Sequence, residues 1–172
     1  PIEAAVLRRI FEQAARLDRS ATFIDQIPVE AVKKTAQMQN LLANFKATEV
    51  VKQFANEDIT KWPFWKRGDG FHARGRAYSI AKNGEKAESD LSAALDFIGD
   101  LRTRETVLLV QAQNRELNLK NDETAQQAYE AILNGKTHLG GADEFSALQG
   151  IARIQTRRGQ IDEALKTLNR AE

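Results

Sequence analysis

The chain has 172 residues, of which 42% are hydrophobic, and this fits one globular domain and argues against disorder. Its 25 Lys and Arg residues nearly balance its 24 Asp and Glu residues, so the net charge gives no general attraction to nucleic acid or to an acidic membrane. The absence of cysteine excludes disulfides, thiol catalysis and cysteine-based zinc sites, and it fits the cytosol and an exported protein equally well.

The longest apolar run, Val107–Val110, has four residues, whereas a membrane-spanning helix needs about 20. We therefore expect no membrane span. The chain starts at Pro1 rather than at a methionine, and it stops at Glu172 within an expected helix. These ends favour a processed or excised piece of a longer polypeptide, and the cellular compartment stays open.

The N-terminal part of the chain shows apolar residues at three- and four-residue spacings, which predicts helices. Proline is favoured at the first helical position, and threonine is a common N-cap. The elements expected within residues 1–62 are a helix over 2–18, a helix from Val29 to about 43–46 that Pro28 starts, a short helix capped by Thr48, and a loop over 56–61.

Three large aromatic residues follow within the segment Trp62-Pro63-Phe64-Trp65. Pro63 is favourable at a helix start. The aromatic side chains form either a core plug beneath the following helices or an exposed binding patch. We expect the core plug, because large aromatic residues usually stabilise a protein by burial.

Helical apolar stripes continue to the end of the chain, and no segment of alternating polarity separates them. Asp122 and Asp143 are expected N-caps, and Gly68-Asp69-Gly70, if flexible, could kink or interrupt the first of these helices. The six predicted helices span about 64–82, 85–98, 103–119, 122–134, 143–157 and 160–171. The glycines expected at or near helix C-termini are Gly84, Gly99, Gly135, Gly140, Gly141 and Gly159.

A pattern of small residues recurs along these helices. Gly75 is followed after twelve residues by Ala87 and after seven more by Ala94, and the large residue Leu91 comes four residues after the middle position. Small facing residues let two helices approach closely, and the large residue fills the space beside the contact. The same spacings recur at Gln113, Ala125, Tyr129 and Ile132, and again at Ala152, Ala164, Leu168 and Ala171.

The residues 39 positions before Gly75, Ala87 and Ala94 are Ala36, Thr48 and Ala55. We therefore expect residues 29–56 to form a degenerate first repeat, although Lys52 stands where Leu91 stands in the best repeat.

Two parts of the chain resemble the tetratricopeptide repeat, and together the resemblance covers residues 64–172. One is the segment 159–168, GQIDEALKTL, and the other is the set Gly75, Tyr78, Ala87, Leu91 and Ala94. The repeats are four or five residues longer than the usual 34 of that family, the proline that commonly closes a repeat is absent, and Gln113 replaces a small residue.

The resemblance implies an all-α fold of stacked antiparallel helix hairpins, that is, an α-solenoid with a right-handed superhelix. Residues 63–172 would form three hairpins, continuous with residues 1–62 in one domain. Proteins of this family are mostly protein- or peptide-binding scaffolds in which the first helix of each hairpin lines a concave surface. No cofactor is expected.

The expected ligand is a protein or peptide, and the arginines of this surface could hold an acidic segment, because arginine can bind a carboxylate through two hydrogen bonds. The preferred interpretation is that the same side chains are ordinary solvated helix residues with local partners. The residues expected to line the concave surface are His72, Arg76, Asn114, Gln149 and Arg153.

Residues 61–82 hold six Lys and Arg residues against one Asp, a net charge of +5. Beside Trp62 and Trp65, these cations could bind nucleic acid through phosphate contacts and base stacking. The preferred interpretation is a basic helix face that is neutralised by the acidic residues of its hairpin mate, Glu85, Glu88 and Asp90.

Catalysis has little support in the sequence. The two histidines, His72 and His138, are far apart and have no metal-ligand spacing, and no nucleophile or phosphate-loop motif occurs. We expect a non-enzymatic chain. The alternative is an accessory helical tail of a larger, exported enzyme whose catalytic domain lies elsewhere. Exposed apolar surface on the last helix is expected to permit self-association.

Overall fold

The structure is a computed structural model. It describes residues 29–134 and 141–170, and at residues 141 and 142 it describes the backbone alone. These two ranges contain α-helices, one short 3-10 turn at Ile59–Lys61 and no strand, so the predicted all-α class is confirmed for them. The helices are α1 Glu30–Ala43, α2 Ala47–Phe54, α3 Phe64–Ile80, α4 Gly84–Phe97, α5 Leu101–Leu117, α6 Asp122–Asn134, α7 Gly141–Arg157 and α8 Ile161–Asn169. The predictions that lie outside the described residues are the helix over 2–18, Pro28, Gly135, His138, Gly140 and Ala171.

Helix α3 is continuous through Gly68-Asp69-Gly70, so these residues do not interrupt it. The two glycines serve close packing instead. A Cβ at Gly68 would lie 2.7 Å from the Ile98 side chain, and a Cβ at Gly70 would lie 2.5 Å from the Trp62 ring. Glycine therefore lets α3 approach its neighbours without breaking its own hydrogen bonds.

Two of the predicted N-caps are also wrong. Asp122 is the first residue of α6, and Asp143 lies inside α7. The Asn121 side chain accepts from the Thr124 N–H at 3.1 Å and so takes the capping role at α6. Asp100 does the same at α5, where its side chain accepts from the Thr103 N–H.

Each of four hairpin turns contains one residue with positive φ, at spacings of 37, 38 and 39 residues: Phe45, Lys82, Lys120 and Gly159. In three of the turns the next N–H donates to a carbonyl five residues back, which is the Schellman arrangement that satisfies the end of a helix. The bonds join Lys46 to Leu41, Asn83 to Tyr78, and Gln160 to Gln155. The prediction that Gly84 closes a helix is therefore wrong, since Lys82 occupies the left-handed position and Gly84 begins α4.

The turns also set the register of the first hairpin, and it differs from the predicted one. A step of 37 residues back from Leu91 reaches Phe54, which is buried, rather than Lys52, which is exposed. Thr48 is exposed within α2 and caps nothing, because the helix begins at Ala47. Phe45, near the expected end of the helix that starts at Val29, is 98% exposed in the turn.

Replacing Lys82 with glycine is expected to stabilise the fold by about 1 kcal/mol, because a left-handed backbone strains any residue that has a Cβ. Urea unfolding measures the change. The reverse substitution, Gly159→Ala, should cost a similar amount, and Lys52→Gly inside α2 should destabilise through lost helix propensity. Destabilisation by Lys82→Gly would contradict the assigned turn conformation.

Packing of consecutive helices is antiparallel. Gly75 faces Leu91 while Gly68 faces Ile98, so α3 and α4 run in opposite directions. The first helices of successive hairpins also contact one another: α1 contacts α3, α3 contacts α5, and α5 contacts α7. One core cluster joins α1 to α4, a second joins α5 to α7, and both include residues of α5.

Most of the predicted repeat positions are buried in the helix contacts. A Cβ at Gly75 would lie 2.9 Å from Leu91 Cγ, which confirms the close approach of α3 and α4 there. Two positions differ from the pattern: Ala112 rather than Gln113 is the fully buried small residue of α5, and Leu168 is exposed. The buried positions are Ala87, Leu91, Ala94, Ala125, Tyr129, Ala152 and Ala164.

The aromatic segment divides between the core and the surface. Trp62 is buried, and its indole N–H donates to Glu57 Oε1 at 2.8 Å. Phe64 and Trp65 are more than half exposed. The predicted core plug is thus confirmed for Trp62 and wrong for the other two, because α3 begins at Phe64 and its first turn projects from the stack.

Candidate functional site

The residues predicted to line one groove lie on the first helices of three successive hairpins. His72 and Arg76 lie on α3, while Gln149 and Arg153 lie on α7, with α5 between these helices. Asn114 on α5 has no exposed surface, and its amide donates to the Gly84 carbonyl at 2.9 Å. Asn114 therefore joins α5 to α4 and does not face a ligand groove.

Arg153 is held by a buried carboxylate. Its guanidinium donates to both oxygens of Glu116, at 3.0 and 2.7 Å, and Glu116 also accepts from the Tyr129 hydroxyl at 2.9 Å and from Arg157 at 3.1 Å. Burial alone would raise the pKa of Glu116, but the hydrogen bonds from Arg153, Tyr129 and Arg157 outweigh it and lower that pKa. Burial, with the nearby Glu116 charge, raises the pKa of Tyr129. This network fastens α5, α6 and α7 together.

Three of the six cations of the basic segment form ion pairs, and one of them, Arg74, pairs with the hairpin mate as the preferred interpretation expects. Arg74 forms an ion pair with Asp90, while Lys61 pairs with Asp58 and Lys66 pairs with Asp69. Glu88 differs from the prediction, because its ion pair is with Arg115 on α5. Among the described residues, Arg76 and Lys82 form no ion pair.

A cleft of about 520 Å³ opens between α4 and α6, above the C-terminal end of α5. We call it the α4–α6 cleft. Its wall on α4 is Glu88, its floor is Arg115 of α5, and the turn after α5 and the first turns of α6 close the other side. The residues lining the cleft are Glu88, Arg115, Leu119, Asn121, Thr124, Gln127 and Ala128.

The charged pair in this cleft keeps one acceptor and one donor available. Glu88 Oε1 accepts from Gln111 at 2.9 Å and from two nitrogens of Arg115, Nε at 2.9 Å and Nη2 at 2.6 Å. Glu88 Oε2 has only a long contact with Asn114, at 3.4 Å. Arg115 Nη1 has no hydrogen-bond partner within residues 29–134 or 141–170. One carboxylate oxygen of Glu88 and one guanidinium nitrogen of Arg115 therefore keep free hydrogen-bonding capacity within the described residues, in a cleft that the apolar Leu119 and Ala128 also line.

Sequence reasoning missed this cleft for a physical reason. Glu88 and Arg115 are 27 residues apart and lie on different hairpins, so no local spacing joins them. The helical pattern places both on polar faces, where many Glu and Arg side chains are simply solvated. The one available signal was the repeat spacing, because it predicts that α4 packs beside the helix that follows it.

The described residues contain no group of three His, Cys, Asp or Glu side chains arranged to bind a metal ion. None of the helices they form has the length and apolar character that crossing a membrane requires.

Comparison with models of known protein families, with curated proteins and with solved structures found no match for this chain in any of the three.

Proposed function

We propose that the chain is a non-catalytic helical-hairpin scaffold, built like the tetratricopeptide repeats with a right-handed superhelix, that binds a protein or peptide segment. The observation that supports this function is the α4–α6 cleft, with Glu88 Oε2 and Arg115 Nη1 available beside an apolar wall. A cleft of this size lies within the range of roughly 300–1,000 Å³ that is usual for ligand sites.

The chemistry of the cleft suits the side-chain amide of an Asn or Gln in a bound peptide. Such a primary amide presents an N–H donor and a C=O acceptor on one edge, whereas those of a trans backbone amide point in opposite directions. In the proposed complex the amide N–H donates to Glu88 Oε2, and the amide oxygen accepts from Arg115 Nη1. The hydrogen bonds within the protein hold both groups in place, so binding needs little ordering of side chains.

The predicted concave surface of the first helices is a second part of this proposal. Arg76 is exposed, and no described residue forms an ion pair with it, so it is available to an acidic ligand segment. Arg153 is less available, since its guanidinium donates to Glu116. The acidic-ligand hypothesis therefore rests on Arg76 rather than on a pair of arginines.

Filling the α4–α6 cleft is expected to abolish peptide binding. Ala128 is half-buried in the cleft wall, and Ala128→Phe would place a ring where the peptide lies. Peptides selected from a random displayed library on the unchanged chain should lose at least about tenfold in affinity for this variant, the equivalent of 1.4 kcal/mol. Fluorescence polarisation measures the dissociation constants.

The matched control is Ala131→Phe, which places the same side chain on an exposed position of the same helix. It should leave peptide affinity unchanged. Equal affinity for both variants would contradict the cleft as the binding site. Binding of single-stranded RNA at low salt that Trp65→Ala abolishes and Ala128→Phe preserves would replace the proposal with the nucleic-acid alternative. The accessory-tail alternative concerns a longer protein, and a catalytic domain in its reading frame would support it.

A further inference from the structure

The outward face of α8 is apolar and exposed. Ile161, Leu165 and Leu168 lie at spacings of four and three residues, which places them in one stripe, and they are 52%, 55% and 40% exposed. The opposite face is buried, with Ala164 in the interior and the Thr167 hydroxyl donating to Gln155 of α7 at 2.8 Å. No residue in the described part of the chain covers the stripe.

The same face of the earlier hairpins is an established helix contact. The turn register aligns Leu165 with Gln126 of α6 and with Glu88 of α4. Glu88 accepts from Arg115 of α5, and Gln126 accepts from Arg158 at 2.6 Å, just after α7. In both cases the neighbour belongs to the next hairpin and runs antiparallel. The stripe on α8 is therefore the place where an antiparallel helix packs in this fold.

The charges of α8 fit a second α8 in that place. The first turn is acidic, with Asp162 and Glu163, and the basic residues Lys166 and Arg170 follow towards the C-terminus. A parallel pair would bring like charges together, whereas an antiparallel pair brings the acidic end of one helix to the basic end of the other.

We propose that two copies of this chain associate through an antiparallel, twofold-symmetric pairing of their α8 helices. Ile161 of one copy lies opposite Leu168 of the other, and Leu165 lies at the symmetry axis. Asp162 and Lys166 lie one turn apart on the same side of the stripe, so Asp162 of one copy meets Lys166 of the other. The face is small, and the dissociation constant is expected to be on the order of 100 μM.

Sedimentation equilibrium over concentrations from about 10 μM to about 1 mM tests the pairing. The mass should rise with concentration and stop at twice that of one chain. Leu165→Lys should keep the protein monomeric, and Ile80→Lys, at an equally exposed apolar residue on α3, should leave the association intact. A monomer at every concentration, assembly that grows beyond two chains, or association that Leu165→Lys retains would overturn the proposal.

A charge exchange tests the antiparallel register independently. Asp162→Lys alone brings like charges together and should weaken the association at least about fivefold. The double variant Asp162→Lys with Lys166→Asp restores opposite charges between the copies and should recover most of that loss. Circular dichroism checks that each variant keeps its helix content. Failure of the double variant to recover affinity, with helix content unchanged, would overturn the antiparallel arrangement.

Discussion

Replacing Arg74 with methionine is expected to lower the free energy of unfolding by about 3–5 kcal/mol, because it leaves the buried Asp90 carboxylate without its counter-charge. The side chains of Arg74 and Asp90 are only 11% and 8% exposed. Arg74 Nε and Nη2 donate to the two oxygens of Asp90 at 2.6 and 2.9 Å. Urea unfolding followed by circular dichroism measures the loss.

Arg74 also joins two hairpins, which adds to the expected effect. Its Nη1 donates to the carbonyls of Phe54, at 3.2 Å, and Glu57, at 2.7 Å, at the end of α2. The methionine variant removes both of these bonds, and each carbonyl keeps only the backbone N–H that already donates to it, Glu57 N–H to Phe54 and Ile59 N–H to Glu57. Lysine cannot make all four bonds, so Arg74→Lys should lie between the methionine variant and the unchanged chain.

The double variant Arg74→Met with Asp90→Leu separates the charge effect from lost packing. Replacing both members of a buried ion pair with apolar side chains is often close to neutral, so the double variant should recover a large part of the stability. A double variant that is as unstable as Arg74→Met would show that the cost lies in the bonds to Phe54 and Glu57. Wild-type stability of Arg74→Met would contradict the burial of the pair.

The second large effect is expected at Gly150. A Cβ at this position would lie 2.4 Å from both Cε2 and Cζ of Tyr129, far inside normal contact distance. Tyr129 is fully buried, and its hydroxyl donates to Glu116, so the rigid ring cannot move aside. Gly150→Ala should therefore destabilise by about 2 kcal/mol, even though alanine is favoured over glycine in a helix by roughly 1 kcal/mol.

Two variants make the Gly150 prediction specific. A Cβ at Gly99 would meet nothing within 4 Å, so Gly99→Ala should leave the melting temperature almost unchanged. Tyr129→Leu removes the ring, and Gly150→Ala should then cost much less than it does alone. An equal cost in both backgrounds would exclude the clash with Tyr129.

The repeat pattern shows how far sequence reasoning reaches. Gly75 and Leu91 were predicted to lie at one helix contact, and they do, while Ala87 is fully buried. Small residues at helical spacing on two adjacent segments indicate close helix packing. The first hairpin was placed two residues out of register, because Phe45 in a left-handed turn gives no sequence signal comparable to glycine.

The candidate sites show the opposite case. Asn114 and Arg153 were predicted to face a ligand from their place in a repeat, yet Asn114 is buried and Arg153 binds Glu116. No residue pattern indicated that Glu116 would be buried, because carboxylates at helical spacing are usually solvated. Its burial depends on Tyr129 and two arginines from other helices.

The sequence by itself determined the helices, most of their ends and the small residues at which neighbouring helices touch. These features depend on local backbone preference and on the 3.6-residue period, and both act over a few residues. Only the tertiary structure decided which polar side chains are paired, which are buried and where the α4–α6 cleft opens. Such contacts join residues far apart in the chain, as Arg74 joins Asp90 across 16 positions and Glu88 joins Arg115 across 27, and no local pattern distinguishes them from solvated charges.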